Sequence, residues 1–336
     1  MSYYEKKLLK LNKKSPKIKM PELLCYIKDI IYTFCFSLFF KQKFTICIAA
    51  DNLNCLCAIF LRKMRLVNKI IYFSIDYSPK RFKNRFLNVV YHMLDRLCCY
   101  NADIVWNTNS VMEKMRRINN KKYALQIEVQ NGVEFDSIKR KNIEDINRYN
   151  LVFIGHIVES KGIELLIQSI PYILKSIPKV KLIIIGSGPL EKRLYSLVNQ
   201  LQIKKSVEFK GFISDVNMME ILTTSAIGIA TYVDEKNNLT YYSDPLKPKL
   251  YMASGLPIII TKVPKIWKLV KLKEAGIVID FKQDQIVKAV ILLLSDDILY
   301  AQTRENAINL ASNYKWSHIY KEAFKITFDY FNDKSL

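Results

Sequence analysis

Three short stretches in the second half of the chain carry residue types that could grip a phosphorylated ligand. The first, GHIVESKG from Gly155 to Gly162, follows a strand-like run and opens a helix whose apolar face is Ile163, Leu166, Ile167 and Ile170. Gly155 permits close approach to the backbone, and Lys161 stands where a helix N-terminus already favours phosphate. By itself, an ordinary loop with an exposed lysine explains the stretch equally well. The second, GSGP from Gly186 to Pro189, is a glycine turn after an apolar run, and Gly186 and Gly188 alone specify little because such turns are common. In the third, YYSDPLKPKLYMASGLPIIIT from Tyr241 to Thr261, a polar loop with two lysines enters a short helix that ends at Gly255. Pro248 suits a first helical turn, where its missing N–H has no partner to lose. Lys247 and Lys249 flank that turn and could meet a diphosphate as point charges. A solvated helix start is the plainer explanation, but Lys161 on a neighbouring loop makes it the poorer one.

These stretches need a frame that brings strand ends together. Apolar runs at 151–157, 181–186, 207–213, 226–232, 257–261 and 276–280 read as strands with helices between them. That alternation implies right-handed crossovers and a parallel sheet, which binds ligands beyond the carboxyl ends of its strands. In the first half, strands are expected at 44–50, 69–75 (ending before Asp76) and 102–108, with a further short one, LQIEV, before the Asn131–Gly132 turn signal. Helices are expected after Pro21, over 53–63, within the amphipathic stretch 82–100 and over 110–117. Residues 1–20 are basic, lack apolar periodicity and read as a loose tail or a surface arm. The charged, apolar-poor stretch 139–150 reads as a boundary, giving a lobe over 1–140, a second over 150–315 and a terminal helix over 316–336. That helix carries an aromatic stripe, Tyr320, Phe324, Phe328 and Phe331.

Composition narrows the partners. With 336 residues, half of them apolar, the chain can bury two cores. Its 52 Lys and Arg against 31 Asp and Glu give a net charge of +21, which points to an anionic partner. No zinc-finger spacing, RNP-like aromatic pattern or basic recognition helix supports specific nucleic-acid binding. The seven cysteines, Cys25, Cys35, Cys47, Cys55, Cys57, Cys98 and Cys99, lack metal-ligand spacing and read as reduced core thiols of a cytoplasmic protein; no metal site is expected. The apolar run Ile30–Phe40 is far shorter than the roughly 20 residues of a membrane-spanning helix and does not have the form of a signal peptide. Together with the cationic surplus it suggests peripheral attachment to an anionic membrane surface, with a buried core helix as the alternative.

The second half resembles the donor-binding lobe of glycosyltransferase family 4, through FIGHIVESKGIELLI, LIIIGSGP, VEFKGFI and DPLKPKLYMASGLPIIIT over residues 151–280. The first half is similar more loosely, through DNLN, YFSIDYSPKRF, YHMLDR, ADIVWN and VQNGVEF. The resemblance implies an α/β GT-B fold of two Rossmann-like lobes whose parallel sheets face a cleft, with the terminal helix crossing back to the first lobe. It also implies retention at the anomeric carbon and no cofactor, with a nucleotide sugar as donor substrate. By motif position Lys161 would bind the donor diphosphate, Lys247 would lie beside it, and Phe212 and Ile213 would border the base. Gly155, His156, Gly186, Gly188, Asp244, Lys249 and Leu250 complete the expected donor site.

Departures from the family pattern qualify this. His156 stands where an arginine is usual, and the two motif glutamates fall on Tyr242 and Leu250, of which leucine cannot accept hydrogen bonds from a ribose. No strand with a glycine turn precedes Pro21, so the first lobe reads as truncated. The histidine usual after the strand near Ser74 has no counterpart, leaving Asp76 as the nearest polar group and third catalytic candidate beside Lys161 and Lys247. Two functions remain: a transferase acting on a glycan, lipid-linked or other hydroxyl acceptor, and a catalytically degraded relative that binds nucleotide sugars or serves a partner subunit. A sugar-nucleotide epimerase lacks its usual carboxylate–histidine pair.

Overall fold

The computed structural model describes residues 2–4, 7–9, 22–39, 43–82, 84–116, 123–235 and 238–333. They form two compact units, one of residues up to 75, 79–107 and 113–127, the other of 76–78, 108–112 and 128 onwards.

The first unit begins with an antiparallel pair, β1 (Ser2–Tyr4) and β2 (Lys7–Leu9), within the stretch expected to be a loose tail; 10–21 lie outside the described residues. Then come α1 (Glu22–Phe39), β3 (Phe44–Ala50), α2 (Asp51–Lys63), β4 (Val67–Ser74), α3 (Arg85–Asn101), β5 (Ile104–Asn107), α4 (Val111–Arg116) and β6 (Leu125–Glu128). The sheet order is β3-β4-β5-β6, and the first two pairings are parallel. Its core packs Cys55, Ile59, Ile70, Tyr72, Cys98, Cys99 and Val105. Cys55, Cys57, Cys98 and Cys99 are thus buried free thiols as expected, while Cys35 is exposed. At the strand ends, buried Arg116 donates to both oxygens of Asp95 (2.7 and 3.0 Å) and to Ser74 Oγ (2.6 Å). The Tyr72 hydroxyl also donates to Asp95 (2.8 Å), so these polar groups hold one another.

Residues 30–39 of the apolar run fall in α1, with Phe40 outside the described residues; there Phe34 packs edge-on against Phe60 at 6.0 Å while Ile31 is exposed. No helix among the described residues is long and apolar enough to cross a membrane.

The second unit holds β7 (Asn150–Ile154), α5 (Ile163–Ser176), β8 (Lys181–Ile185), α6 (Glu191–Gln200), β9 (Val207–Gly211), α7 (Asp215–Thr223), β10 (Ile227–Ala230) and α8 (Leu246–Ala253). It continues with β11 (Ile258–Thr261), α9 (Trp267–Leu272), β12 (Gly276–Ile279), α10 (Gln283–Ser295), α11 (Asp297–Ser312) and α12 (Trp316–Asp333). All six expected strands form one parallel sheet in the order β12-β11-β10-β7-β8-β9. Helices cover both faces, so successive strand residues enter different cores. Leu151, Leu182, Ile184 and Ile259 join one apolar cluster, and Val152, Ile183, Ile185, Ile258 and Ile260 the other. The stretch 139–150 belongs to this unit: Ile146 is buried in the first of those clusters and Arg140 donates to the Ala253 carbonyl (2.6 Å). Along α12, Trp316 stacks on Tyr320 (5.2 Å) and Phe324 on Phe328 (5.8 Å), the stripe its spacing predicts.

Candidate active site

The site grows from the ends of β7, β8 and β9, whose backbones stay zipped past the sheet. Gly155 N–H donates to the Ile185 carbonyl (2.8 Å), Ile157 N–H to Ser187 (3.0 Å) and Gly186 N–H to Gly211 (2.8 Å). Such approach leaves no room for a side chain: a Cβ on Gly186, where φ is +131°, would overlap the Gly155 carbonyl, and one on Gly188 would overlap Ile157. A Cβ on Gly155 would instead meet the Lys247 ammonium, so this glycine makes space for the lysine's charged end.

Lys161 closes a short 3-10 turn, Glu159–Lys161, before Gly162 turns left-handed (φ +66°) against the Thr231 carbonyl. Its ammonium donates to Thr240 Oγ1 (3.1 Å) and lies 4.9 Å from the centre of the Tyr232 ring. Thr240 sits in a turn pinned by Asn238, which donates to the Ser160 (3.1 Å) and Val233 (2.8 Å) carbonyls and accepts from Thr240 N–H (3.0 Å). Lys161 and Lys247 line one small cavity with Phe153, Ile154, Tyr232 and Tyr251, and the Tyr251 hydroxyl accepts from Ile154 N–H (2.6 Å). Thr240, Asn238, Tyr232 and Tyr251 were not singled out in the sequence, because nothing local marks a turn 80 residues away as the support of Lys161.

Neither lysine of the cavity has an acidic partner among the described residues. Burial lowers the pKa of Lys161; burial and then the neighbouring Lys161 charge lower that of Lys247 to about 8. Two desolvated like charges at strand ends form a site that an anion would stabilise. The sign of the pH effect follows. Without ligand, Lys247 titrates near 8 in the folded state and near its ordinary 10.5 when unfolded, so the unfolded chain binds more protons between them and stability rises with pH across that window. A bound anion raises the Lys247 pKa. Affinity for pyrophosphate, titrated calorimetrically from pH 7 to 9.5, is therefore expected to be flat below about 8 and to fall by up to about tenfold per unit above it. A flat profile throughout would remove Lys247 from the site.

Not every expected residue joins this pair. Lys249 is fully buried, donates to Asp244 Oδ2 (2.6 Å) and the Asn131 carbonyl (2.8 Å), and lies 4.3 Å from the centre of the Tyr314 ring. Asp244 also accepts from Asn131 N–H (2.6 Å). Burial pushes the Asp244 carboxyl up and the Lys249 ammonium down in pKa, and the attraction between them opposes both shifts. These two residues, expected at the donor, are spent on each other because Lys247 and Lys249 stand two apart in α8, about 200° round the helix. Leu250 shares the Lys247 side but packs against an apolar cluster, as does Ile213, and Phe212 is 91% exposed just past Gly211. The exposed His156 is tied through Nδ1 to the Ser187 carbonyl (2.8 Å), and Asp76, exposed beyond β4, is not part of the lysine cavity.

A second cavity of about 260 Å³ lies among Asn109, Glu128, Gln130, Ser243, Lys265 and Tyr314. Lys265 donates to Glu128 (2.7 and 2.9 Å) and Ser110 (3.0 Å), and Asn109 Nδ2 to the Ser243 carbonyl (3.1 Å).

Residues 134–310, which include the lysine pair and the glycine turns, match the family described as glycosyl transferases group 1. The chain belongs to this family. Over 182 residues it is 28% identical to an uncharacterized glycosyltransferase of Methanocaldococcus jannaschii, covering 52% of this chain and 44% of that protein. It is 26% identical over 156 residues to a chitobiosyldiphosphodolichol beta-mannosyltransferase of Candida albicans, covering 45% and 33%. The matches thus span less than half the length of these two relatives. Among solved structures, a sucrose-phosphate synthase from Thermosynechococcus elongatus superposes with a TM-score of 0.73 at 16% identity, over 95% of this chain and 82% of that one. The group 1 chain accordingly has the GT-B fold, with its parallel sheets in two lobes.

Proposed function

We propose that this group 1 chain is a glycosyltransferase of the family 4 type that uses a nucleotide-sugar donor. The observation that carries this is the pair of half-buried lysines, Lys161 and Lys247, without acidic partners among the described residues, the second of them over Gly155. They would hold the donor diphosphate, with Phe212 exposed beside the glycine turn to border the base. In the reaction, the bond from the anomeric carbon to the diphosphate oxygen breaks and one to the acceptor oxygen forms, with retention. The acceptor proton passes to the donor phosphate and nucleoside diphosphate leaves. The lysines would stabilise the charge that develops on the leaving diphosphate, which is electrostatic catalysis and needs no metal or cofactor in this scheme. Asp76, the third catalytic candidate, is proposed to orient the acceptor. A degraded, merely structural relative is not favoured, since it would have no reason to keep two half-buried cations side by side without counter-charges. Thermal unfolding with UDP, GDP, ADP and CMP tests the donor site: one nucleotide is expected to raise the transition markedly over the others, and four flat responses would sink the proposal.

The relative named for chitobiosyldiphosphodolichol supports a lipid-linked glycan as acceptor class. The enzyme is further proposed to be cytoplasmic and peripheral on the inner face of a membrane. The surface for this differs from the expected α1. On α3, Phe86, Val89, Met93, Leu97 and Tyr100 are exposed at helical spacing, and the exposed Arg85 and Arg96 stand beside them. An apolar stripe flanked by arginines suits anionic lipid. Sedimentation with phosphatidylglycerol vesicles should pull down the wild-type chain and release it in high salt, while Met93→Glu stays in solution; equal pelleting of both would exclude α3.

A further inference from the structure

The parallel sheet of the second unit has two edges, and they are built differently. On β9 the exposed Glu208 and Lys210 pair at 2.6 Å, and the register with β8 shifts between Ile184 and Ile185. Charges and irregularities of this kind keep a foreign strand from adding to an edge. The opposite edge, β12, is Gly-Ile-Val-Ile in unbroken register with β11 and has neither device. Ile258 N–H donates to the Ala275 carbonyl (3.4 Å), and the alternation of a parallel ladder from that bond turns the N–H and C=O of Gly276 and Val278 away from β11. These four groups have no hydrogen-bond partner among the described residues.

A groove of about 600 Å³ runs along this edge, from Glu274 before β12 to Lys262 past the end of β11, with Leu292 and Leu299 in its apolar lining. Gln302 and Asn306 of α11 line it as well, and Asn306 also belongs to an adjoining groove of about 190 Å³ that holds Lys273, Asn309 and Asn313. Gln302, Asn306, Asn309 and Asn313 recur at helical spacing, so they form one line along α11 and its C-cap. That line is about 16 Å long, or roughly five residues of extended chain. Each amide offers both a donor and an acceptor, as a peptide group does. The side chains of Gln302 and Asn309 have no partner among the described residues, and Asn306 has only the Glu274 carbonyl at 3.5 Å.

The rim decides what fits. Lys262 is held by Asp280 (2.7 Å), but Lys271 and Lys273 have no acidic partner among the described residues, and Glu274 is the only acidic residue lining either groove. The whole chain carries +21, so two copies repel while an acidic polypeptide is attracted. A phosphate backbone supplies acceptors only and leaves the Gly276 and Val278 carbonyls unmet. A peptide supplies donors and acceptors alike.

We propose that the edge of β12 and the adjoining amide line of α11 dock an extended acidic segment of a partner protein, which adds a strand to the sheet through Gly276 and Val278. β12 lies three strands from β7 in the sheet, so the segment leaves the lysine cavity open, and the docking does not depend on sugar transfer. The probe is a fluorescein-labelled decapeptide of alternating Glu and Val, followed by anisotropy on the full chain. Beside it runs the same peptide with its backbone nitrogens methylated, which keeps the charge but cannot pair as a strand. The unmethylated peptide is expected to bind at least about tenfold more tightly. Val278→Pro removes one outward N–H without changing charge, at an edge position that accepts proline. It should weaken the peptide about tenfold and leave nucleoside-diphosphate binding as in wild type. Should that variant fail to fold, Asn306→Ala on α11 is expected to weaken the peptide about fivefold. Equal binding of the two peptides, or of wild type and the folded variant, would reduce the contact to net charge and overturn the proposal. Absence of binding overturns it too, as does a dimer in light scattering that Val278→Pro dissociates, which would give the edge to a second copy.

Discussion

Lys161→Ala is expected to weaken nucleoside-diphosphate binding by about 100-fold while leaving the fold in place. A hydrogen bond to a charged group is worth about 1.5–3 kcal/mol, and the ammonium can reach phosphate oxygen with more than one donor. The loss to the unliganded protein is smaller. The variant gives up a bond to Thr240 and the contact with the Tyr232 ring, but it also removes the repulsion that lowers the Lys247 pKa. The melting temperature should therefore move by only a few degrees. The pH profile should move as well, because Lys247 without its neighbour titrates above about 8. Calorimetric titration of wild type and variant, with melting curves and pH series on both, gives the three readouts. Binding as tight as wild type would end the assignment of the lysine pair to the diphosphate.

Asp244→Ala should have the largest effect on stability, costing about 3–5 kcal/mol, because it strands the buried Lys249 ammonium with only the Asn131 carbonyl and the Tyr314 ring. For a chain of this size that corresponds to a fall of about 10 °C in melting temperature. The pair itself need not stabilise, since burial drives both groups towards neutrality. The double change Asp244→Leu with Lys249→Met should accordingly recover most of the loss, as replacing a buried pair by apolar groups of similar volume often does. Thermal unfolding of the three variants decides it. If Asp244→Ala melts like wild type, the pair is not a buried ion pair of the second unit.

Much of the frame was legible because it is written in local patterns. Runs such as KLIII and PIIIT fill a buried parallel strand, and the two-residue period of Leu151 to Ile154 sends side chains to opposite cores. Gly186 and Gly188 were legible as a turn, and the structure adds the reason for their type: carbonyls of the neighbouring loop occupy the space of their missing Cβ atoms. Lys161 and Lys247 were legible as a pair because each follows the carboxyl end of a parallel strand, and such ends gather on one side of a sheet. The first lobe gave a weaker signal, and there the outward apolar face of α3 was indistinguishable in sequence from a core-facing one.

The sequence by itself therefore determined the alternation of strands and helices, the glycine turns and the two lysines that line the small cavity, since each stands in a local pattern of strand, turn and helix start. Only the tertiary structure decided the fate of Lys249, Asp244 and Tyr314. Whether a lysine meets a ligand or a carboxylate depends on which groups the fold delivers to its far end. Here Asn131 and Tyr314 arrive from 118 and 65 positions away along the chain, and burial then makes an unpaired charge too costly to leave.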